Sequence, residues 1–294
     1  MESLEKQIEY IRTCQDYKIF VIDLFCGAGG ETTGIEMAKV NGKKCAKVIA
    51  AVNHDKNAIA SHAANHHNIL HYIEDIRTLN LSGLEAITEA VRKYHPNSIL
   101  LLHASIECTN FSKAKGGLPR NPDSRTLAEH LIRYIESIRP DYIQIENVVE
   151  FMSWGKLDEN GKPISLLNGT DYVKWCNLVQ SFGYTYTYKI LNAADFGAYT
   201  NRKRYFGQFA KIGLPHAFPS PTHSKKGDDN NNLFKSLKKY KHVKDVLDLE
   251  DDGGEPPYDG KQWLDLSCTE YEIPSDKFKD GDNVEIIIRK KKGE

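Results

Sequence analysis

No apolar run in this 294-residue chain approaches the length of a membrane-spanning helix, which needs about 20 consecutive apolar residues. The opening Met1 to Lys6 lacks the pattern of a secretory signal peptide. The six cysteines, at 14, 26, 45, 108, 176 and 268, contain neither a CxxC pair nor a zinc-type spacing. That scatter is expected of reduced thiols in a cytoplasmic protein, with no structural metal. A basic excess is missing too, since the net charge is −1. Any nucleic-acid surface must therefore arise from local clustering. No internal repeat is visible. What remains is a globular chain long enough for one large domain with a smaller attachment.

What is present is a rhythm of buried strands and helices. Met1 to Tyr17 has Leu4, Ile8 and Ile11 at helical spacing. Lys18 to Phe25 reads as a strand buried on both faces. It runs into Cys26-Gly-Ala-Gly-Gly30 and a helix from about Glu31 to Val40, an arrangement that offers backbone N–H groups to a polar or anionic ligand. Lys47 to His54 is a second strand, with Asn53, His54 and Asp55 at its tip and a helix behind it to about His66. That tip is where nucleoside-binding α/β folds hold ribose hydroxyls. A third strand, His71 to Ile76, ends with the acceptors Glu74 and Asp75. His62, His66, His67 and His71 are too irregularly spaced for a metal set, and read as a solvated polar face.

A helix over Leu84 to Tyr94 leads to the apolar run Ser98 to Ala104, after which Cys108 lies on a loop with Lys113, Lys115, Gly116 and Gly117. A thiol beyond a strand's carboxyl end is either an attacking group or a packed, inert one. Leu127, Leu131, Ile135 and Ile138 form a helical stripe, Ser124 is a candidate helix cap, and Asp141 to Val148 is a strand with Glu146 and Asn147 at its end. Trp154 to Gly169 reads as a loop and Asp171 to Phe182 as a helix. Tyr184 to Ala193 and Lys203 to Ala210 read as an antiparallel hairpin whose turn carries Arg202 and Arg204. Beyond about Gly213 the strand–helix rhythm stops, apart from a short strand at Val284 to Ile288 and a basic tail. The expected architecture is α/β, a doubly wound and mostly parallel sheet with an antiparallel hairpin. Residues 1–212 form the main domain and 213–294 a small irregular region.

Four segments in this order resemble the DNA (cytosine-5) methyltransferases: Asp23-Leu-Phe-Cys-Gly-Ala-Gly-Gly30, Cys108 with Phe111 and Ser112, Glu146-Asn-Val148, and Arg202-Lys-Arg204 after Asn192-Ala-Ala-Asp-Phe-Gly197. The resemblance covers roughly residues 18 to 250. It implies a class I, Rossmann-like methyltransferase that moves a methyl group from S-adenosylmethionine to C5 of a flipped-out cytosine in double-stranded DNA. By the family's pattern Cys108 adds to C6, Glu146 stabilises N3, Arg204 donates to the cytosine O2, and Arg202 holds the loop or a phosphate. A raised Glu146 pKa would follow from burial.

The methyl donor, released as S-adenosylhomocysteine, would meet Phe25, Gly27, Ala28 and Gly30, then Asn53 and His54 at the ribose, and Asp75 with Ile76 at the adenine. Ser112, Lys113, Lys115, Arg120, Arg125 and Asn147 are the expected nucleic-acid contacts, helping to offset the flipping cost of a few kcal/mol. The setting implied is bacterial or phage restriction–modification, nucleoid-associated, with no membrane.

The chain departs from the family at Glu107 and Thr109, where Pro and Gln flank the cysteine, at Tyr199-Thr200, where Pro-Gln is usual, and at Asn53, more often Glu. The family's target-recognition region and last motif are not recognisable before Glu294. Either the chain is a fragment, or it diverges there, or a second polypeptide supplies the missing part. Two further readings stand beside the DNA enzyme: an RNA cytosine-5 methyltransferase using the same chemistry, and a half-enzyme or DNA-binding regulator that needs a second chain.

Overall fold

The computed structural model describes residues 3–106, 128–156, 164–227 and 237–243. It divides into two compact units, Met1–Ile190 with Arg204–Ala217, and Leu191–Lys203 with Phe218–Glu294.

Helix α1 (Leu4–Thr13) is capped by the Ser3 side chain and leads into strand β1 (Ile19–Leu24). Strands β4 (Ala46–Asn53), β5 (Leu70–Ile73), β6 (Ile99–Ser105), β7 (Tyr142–Asn147), β8 (Tyr184–Asn192) and β9 (Lys203–Lys211) join β1 in a seven-stranded sheet of order β5-β4-β1-β6-β7-β9-β8. Strands β1, β4, β5, β6 and β7 pair in parallel, and β9 runs antiparallel to β7. The expected mostly parallel, doubly wound sheet with antiparallel strands at one side is what the chain forms. Lying centrally, β1 and β4 are buried along nearly their whole length. That is why they read as continuous apolar runs and not as alternating ones.

Helices α2 (Gly30–Met37), α3 (Lys56–Asn65), α4 (Ser82–Tyr94), α5 (Leu131–Ile138) and α6 (Thr170–Ser181) cover the sheet. One face is strongly apolar: Phe20, Ile22 and Leu24 of β1 meet Leu84, Ile87 and Val91 of α4, Leu131 and Ile135 of α5, and Trp175 of α6. The opposite face is thinner, with only Val21, Cys26, Val48, Ala51, Ile59 and Ile69 in its buried cluster. Strand alternation puts Asp23 on this second face. Its parallel neighbour His103, and His71 on β5, share the parity of that face.

Several boundaries differ from the sequence expectations. Helix α2 stops at Met37 and not at Val40, because Asn41 (φ 51) and Gly42 (φ 76) turn a small hairpin between β2 (Lys39–Val40) and β3 (Lys43–Lys44). Asn-Gly is the strongest two-residue hairpin signal, and here it overrides helix propensity. β5 ends at Ile73, earlier than Ile76, so Asp75 and Ile76 lie on the loop beyond it. The start of the expected Trp154 to Gly169 loop is core: after a 3₁₀ turn (Val149–Ser153), Trp154 is buried. The helix cap at Ser124 and the strand at Val284 to Ile288 lie outside the described residues. Among those described, no helix is long and apolar enough to cross a membrane.

The second unit holds a 3₁₀ turn (Ala193–Phe196) capped by Asn192, and a short parallel pair β10 (His223–Ser224) with β11 (Lys238–Lys239). Asp195 ties these together. Its carbonyl accepts from Thr222 N–H at 2.8 Å, and its carboxylate accepts from the Tyr240 hydroxyl.

Phe151 is fully buried, with the rings of Trp154, Tyr172, Trp175 and Tyr205 centred 5.5 to 6.0 Å away. Phe151→Ala is expected to cost about 3–5 kcal/mol in urea unfolding. A loss below about 1 kcal/mol would show that this cluster does not anchor the sheet's antiparallel side.

Candidate active site

The carboxyl ends of β1, β4, β6 and β7 lie along one edge of the sheet. Beyond β1, Phe25 adopts φ 59 and is followed by Gly27 at φ 53 and Gly29 at φ 98. A phenylalanine in the left-handed region is sparsely populated and costs of order 1–3 kcal/mol, a strain that clusters at functional sites. The glycines divide the labour. A Cβ at Gly29 would come within 2.6 Å of the His66 ring, whereas Gly27 and Gly30 face open space with nothing within 4 Å. Gly29 thus permits packing against α3, and Gly27 and Gly30 leave room above the turn. Ala28, between them, is exposed and belongs to the same turn.

Beyond β4, Asn53 is buried and its Oδ1 accepts from Asp55 N–H at 2.9 Å. Asp55 in turn caps α3 through Asn57 and Ala58, while His54 is exposed beside it. The Asn53 carbonyl accepts from Glu74 N–H at 3.1 Å, fixing the loop that carries Asp75 and Ile76. Asp75 is held by the Arg77 guanidinium, which keeps its carboxyl below the usual range. Arg133 of α5 donates to the Ile76, Arg77 and Leu79 carbonyls, and the Tyr134 hydroxyl donates to Ile76 O at 2.8 Å.

At the end of β7, Glu146 lies opposite Ser105 on β6 and Phe206 on β9. Arg204 reaches it from the antiparallel strand, with Nε 3.1 Å from Glu146 Oε1. Both side chains are largely buried, so the pair sits where screening is weak. Asn147, expected at the nucleic acid, is bonded within the protein. It is fully buried, donates to Ile106 O at 3.3 Å and accepts from Val148 N–H. It therefore tethers the chain two residues before Cys108.

Cys108, Ser112, Lys113, Lys115, Arg120 and Arg125, with Glu107 and Thr109, lie outside the described residues. Arg202 belongs to the second unit, where its carbonyl accepts from Ala193 N–H at 3.0 Å. Among the described cysteines, burial pushes the Cys26 and Cys176 thiols up to about 12, which makes them poor thiolates.

A family model for C-5 cytosine-specific DNA methylases matches residues 19–292. The chain belongs to that family. It is similar to the type II methyltransferase M.AquIA of Picosynechococcus, 28% identical over 77% of this chain and 87% of that protein. To M.BsuRI of Bacillus subtilis it is 30% identical over 82% of this chain and 53% of that one. It thus spans most of the first relative but about half of the second. Among solved structures, the Entamoeba histolytica methyltransferase EhMeth aligns with a TM-score of 0.50 at 18% identity, over 79% of this chain and 60% of that one. At that identity the likeness establishes the fold alone.

Two features, one in the turn and one in β1 just before it, fit a sulfonium nucleoside. One is the open space over Gly27 and Gly30. The other is a buried carboxylate oxygen, Asp23 Oδ1, with no hydrogen-bond partner among the described residues.

The four histidines expected on a solvated face are instead largely interior: His62, His66 and His71 are buried. Helix α3 packs its polar side against a sheet face that has few apolar residues, so the rings satisfy one another. Among the described residues no group of His, Cys, Asp or Glu is arranged to hold a metal ion. His103 is buried as well, 3.1 Å from Ser105 Oγ.

Burial lowers His62 and His103 to about 4 and lowers His71, while it raises Asp23 to about 7. From pH 6.5 down to 4 the unfolded chain takes protons at the histidines that the folded chain refuses, and stability falls. Asp23 acts oppositely over about 4 to 7, but it is one group against three. Melting temperature is therefore expected to drop as pH falls through this window, and to drop less in His103→Gln. Parallel curves for the two proteins would contradict the histidine assignment.

Proposed function

We propose that this chain transfers a methyl group from S-adenosylmethionine to C5 of a cytosine flipped out of DNA, through a covalent bond between Cys108 and C6. The observation that carries the reading is the Glu146–Arg204 pair, at 3.1 Å on the sheet edge. It lies at the end of the strand paired with β6, whose chain continues to Cys108.

Cytosine C5 is a weak nucleophile, so the ring must first be activated. The Cys108 thiolate adds at C6 and pushes electrons towards C5 and N3. Free thiols have a pKa of about 8.5, and the lysines at 113 and 115 supply positive potential for the thiolate. As cytosine enters, Arg204 turns its donors to O2 and loosens its hold on Glu146. Glu146 then takes a proton from solvent and presents it at N3, where negative charge accumulates. Bound S-adenosylmethionine supplies an electrophilic methyl group. After transfer, the C5 proton leaves to solvent, the C5=C6 bond re-forms and Cys108 is expelled as the thiolate.

Phe25, Gly27, Ala28 and Gly30 would hold the methionine end of the cofactor. The amide nitrogen of Asn53 and the His54 side chain would meet the ribose. Asp75 would accept from the adenine amine with the lone pairs its Arg77 contacts leave free, and Ile76 would pack beside that ring. Asn147 acts through Ile106, as a positioning residue for the cysteine loop. Arg202, Ser112, Lys113, Lys115, Arg120 and Arg125 would meet phosphates or the flipped strand.

Duplex DNA carrying 5-fluorocytosine cannot lose its C5 substituent as a proton, so the adduct should persist. With S-adenosylmethionine, the wild-type protein is expected to give a denaturation-resistant complex, and Cys108→Ser none. An equal yield from Cys108→Ser would overturn the nucleophile assignment. Transfer to a matched RNA, but not to DNA, would move the substrate to RNA. Gly27→Ala is expected to weaken S-adenosylmethionine binding at least tenfold in calorimetry, because the added methyl enters the open space over the turn. Its left-handed backbone, φ 53, adds a folding penalty of about 1–2 kcal/mol, which unfolding of the free variant measures separately. Unchanged affinity would remove the cofactor from that turn.

A further inference from the structure

Under the glycine turn runs a continuous chain of buried polar side chains that the methyl-transfer chemistry does not use. Thr32 Oγ1 donates to Asp23 Oδ2 at 2.7 Å and lies 3.0 Å from His62 Nε2. His62 Nδ1 lies 2.9 Å from His71 Nε2. Asp23, Thr32 and His62 have no exposed surface, and His71 retains a little.

A neutral imidazole carries one N–H, so the chain admits two self-consistent patterns. In the first, Asp23 is a carboxylate. Thr32 donates to it, His62 Nε2–H donates to Thr32, and His71 Nε2–H donates to His62 Nδ1. In the second, Asp23 is a carboxylic acid and donates to Thr32, which donates to His62 Nε2. His62 Nδ1–H then donates to His71 Nε2, and the His71 proton sits on Nδ1. The patterns differ by one proton. It enters from water at His71 Nδ1, and each link passes on the proton it already held: His71 to His62, His62 to Thr32, Thr32 to Asp23. Only N–H and O–H bonds form and break, and nothing is oxidised or reduced.

We propose that Asp23, Thr32, His62 and His71 are a one-proton relay that matches the charge of Asp23 to that of the ligand above the glycine turn. Asp23 is a carboxylate opposite the sulfonium of S-adenosylmethionine and a neutral acid opposite the thioether of S-adenosylhomocysteine. The inference rests on the methyl-donor reading given above. Methyl transfer removes one positive charge from the cofactor, and a buried, unpaired carboxylate left behind would be costly. Uptake of one proton restores the balance and favours release of neither ligand at the expense of the other.

Burial holds the Asp23 carboxyl up at about 7 and the His62 ring down at about 4, so near neutral pH the acid is poised and the ring is neutral. The charged and titratable neighbours are few; His71 bonds the Ile69 backbone and is lowered by burial, the amino terminus, His66 and Lys47. Glu31 on α2 raises the Asp23 carboxyl, and Cys26 in the turn carries its thiol proton. His103 on β6 is lowered to about 4 by burial. On α3, His66 is bonded to Gly29 O and to Thr33, and Lys47 on β4 is held by Glu36 at 2.7 Å.

The test is ¹⁵N NMR of histidine side chains in the full-length protein, which separates Nδ1–H from Nε2–H tautomers. In the free protein, titration from pH 8 to 6 is expected to move His62 from Nε2–H to Nδ1–H and His71 in step, with both rings neutral throughout. At pH 7, S-adenosylmethionine should favour the Nε2–H form of His62 and S-adenosylhomocysteine the Nδ1–H form. Thr32→Val, which removes the hydroxyl at constant volume, should abolish the coupled swap, and Thr32→Ser should restore it. No swap in the free wild-type protein overturns the relay, whatever the ligand. A swap with pH, but the same tautomer under both ligands, overturns the charge matching. Absence of any calorimetric heat with either ligand overturns the methyl-donor reading, and the free-protein titration then still decides the relay.

Discussion

Parallel register across β4, β1, β6 and β7 is the constraint on which everything else depends. Because these strands point the same way, the segments that leave them emerge at one edge: the glycine turn after Leu24, Asn53, the chain through Ile106, and Glu146. None of these is near another in sequence. The antiparallel strand β9 contributes what a parallel strand could not. It begins where β7 ends, so Arg204 arrives beside Glu146 in place of emerging at the far side of the sheet. Side-chain parity does the rest, sending Phe20, Ile22 and Leu24 into the thick apolar layer and Asp23 to the other face.

The two faces are stabilised by different means. The thick one buries large aliphatic and aromatic groups from four helices, and at roughly 25 cal/mol per Å² of apolar area this is where most folding free energy resides. The thin one carries Asp23, Thr32, His62, His66, His71 and His103, which must be satisfied by one another once water is excluded. A buried hydrogen-bonded network of this kind is a poor source of stability when any member is unmatched. It lies directly below the glycine turn, where Phe25 is also strained, a placement expected of selection for function over stability.

Much of this was legible in the sequence. The strands at 19–24, 46–53 and 99–105 were visible because burial on both faces leaves nearly continuous apolar runs, whereas 142–147 shows by alternation, with Ile143 and Ile145 inward between more exposed neighbours. The positions of Glu146 and Arg204 followed from strand ends. Asn41-Gly42 shows that a local turn signal outweighs helical continuation, and the end of β5 at Ile73 shows how little a four-residue strand reveals of its own boundary. The buried histidines were misread because α3 has no apolar stripe to orient it. Only the sheet's parity, which needs the assembled strands, reveals that its polar side faces inward. For Asn147, sequence gives its place at a strand tip, but not the Ile106 carbonyl that its amide meets.

The central claim is that Glu146 and Arg204 act on the cytosine as one unit. A double-mutant cycle tests it most directly, with single-turnover methyl transfer to duplex DNA measured for Glu146→Gln, Arg204→Ala and the double variant. Each single change is expected to slow transfer by about 10²-fold or more, and the double variant to be little slower than the worse single one. A double variant slowed by the full product of the two single effects would mean that the residues work independently, and the account of the sheet edge as a single catalytic centre would be contradicted.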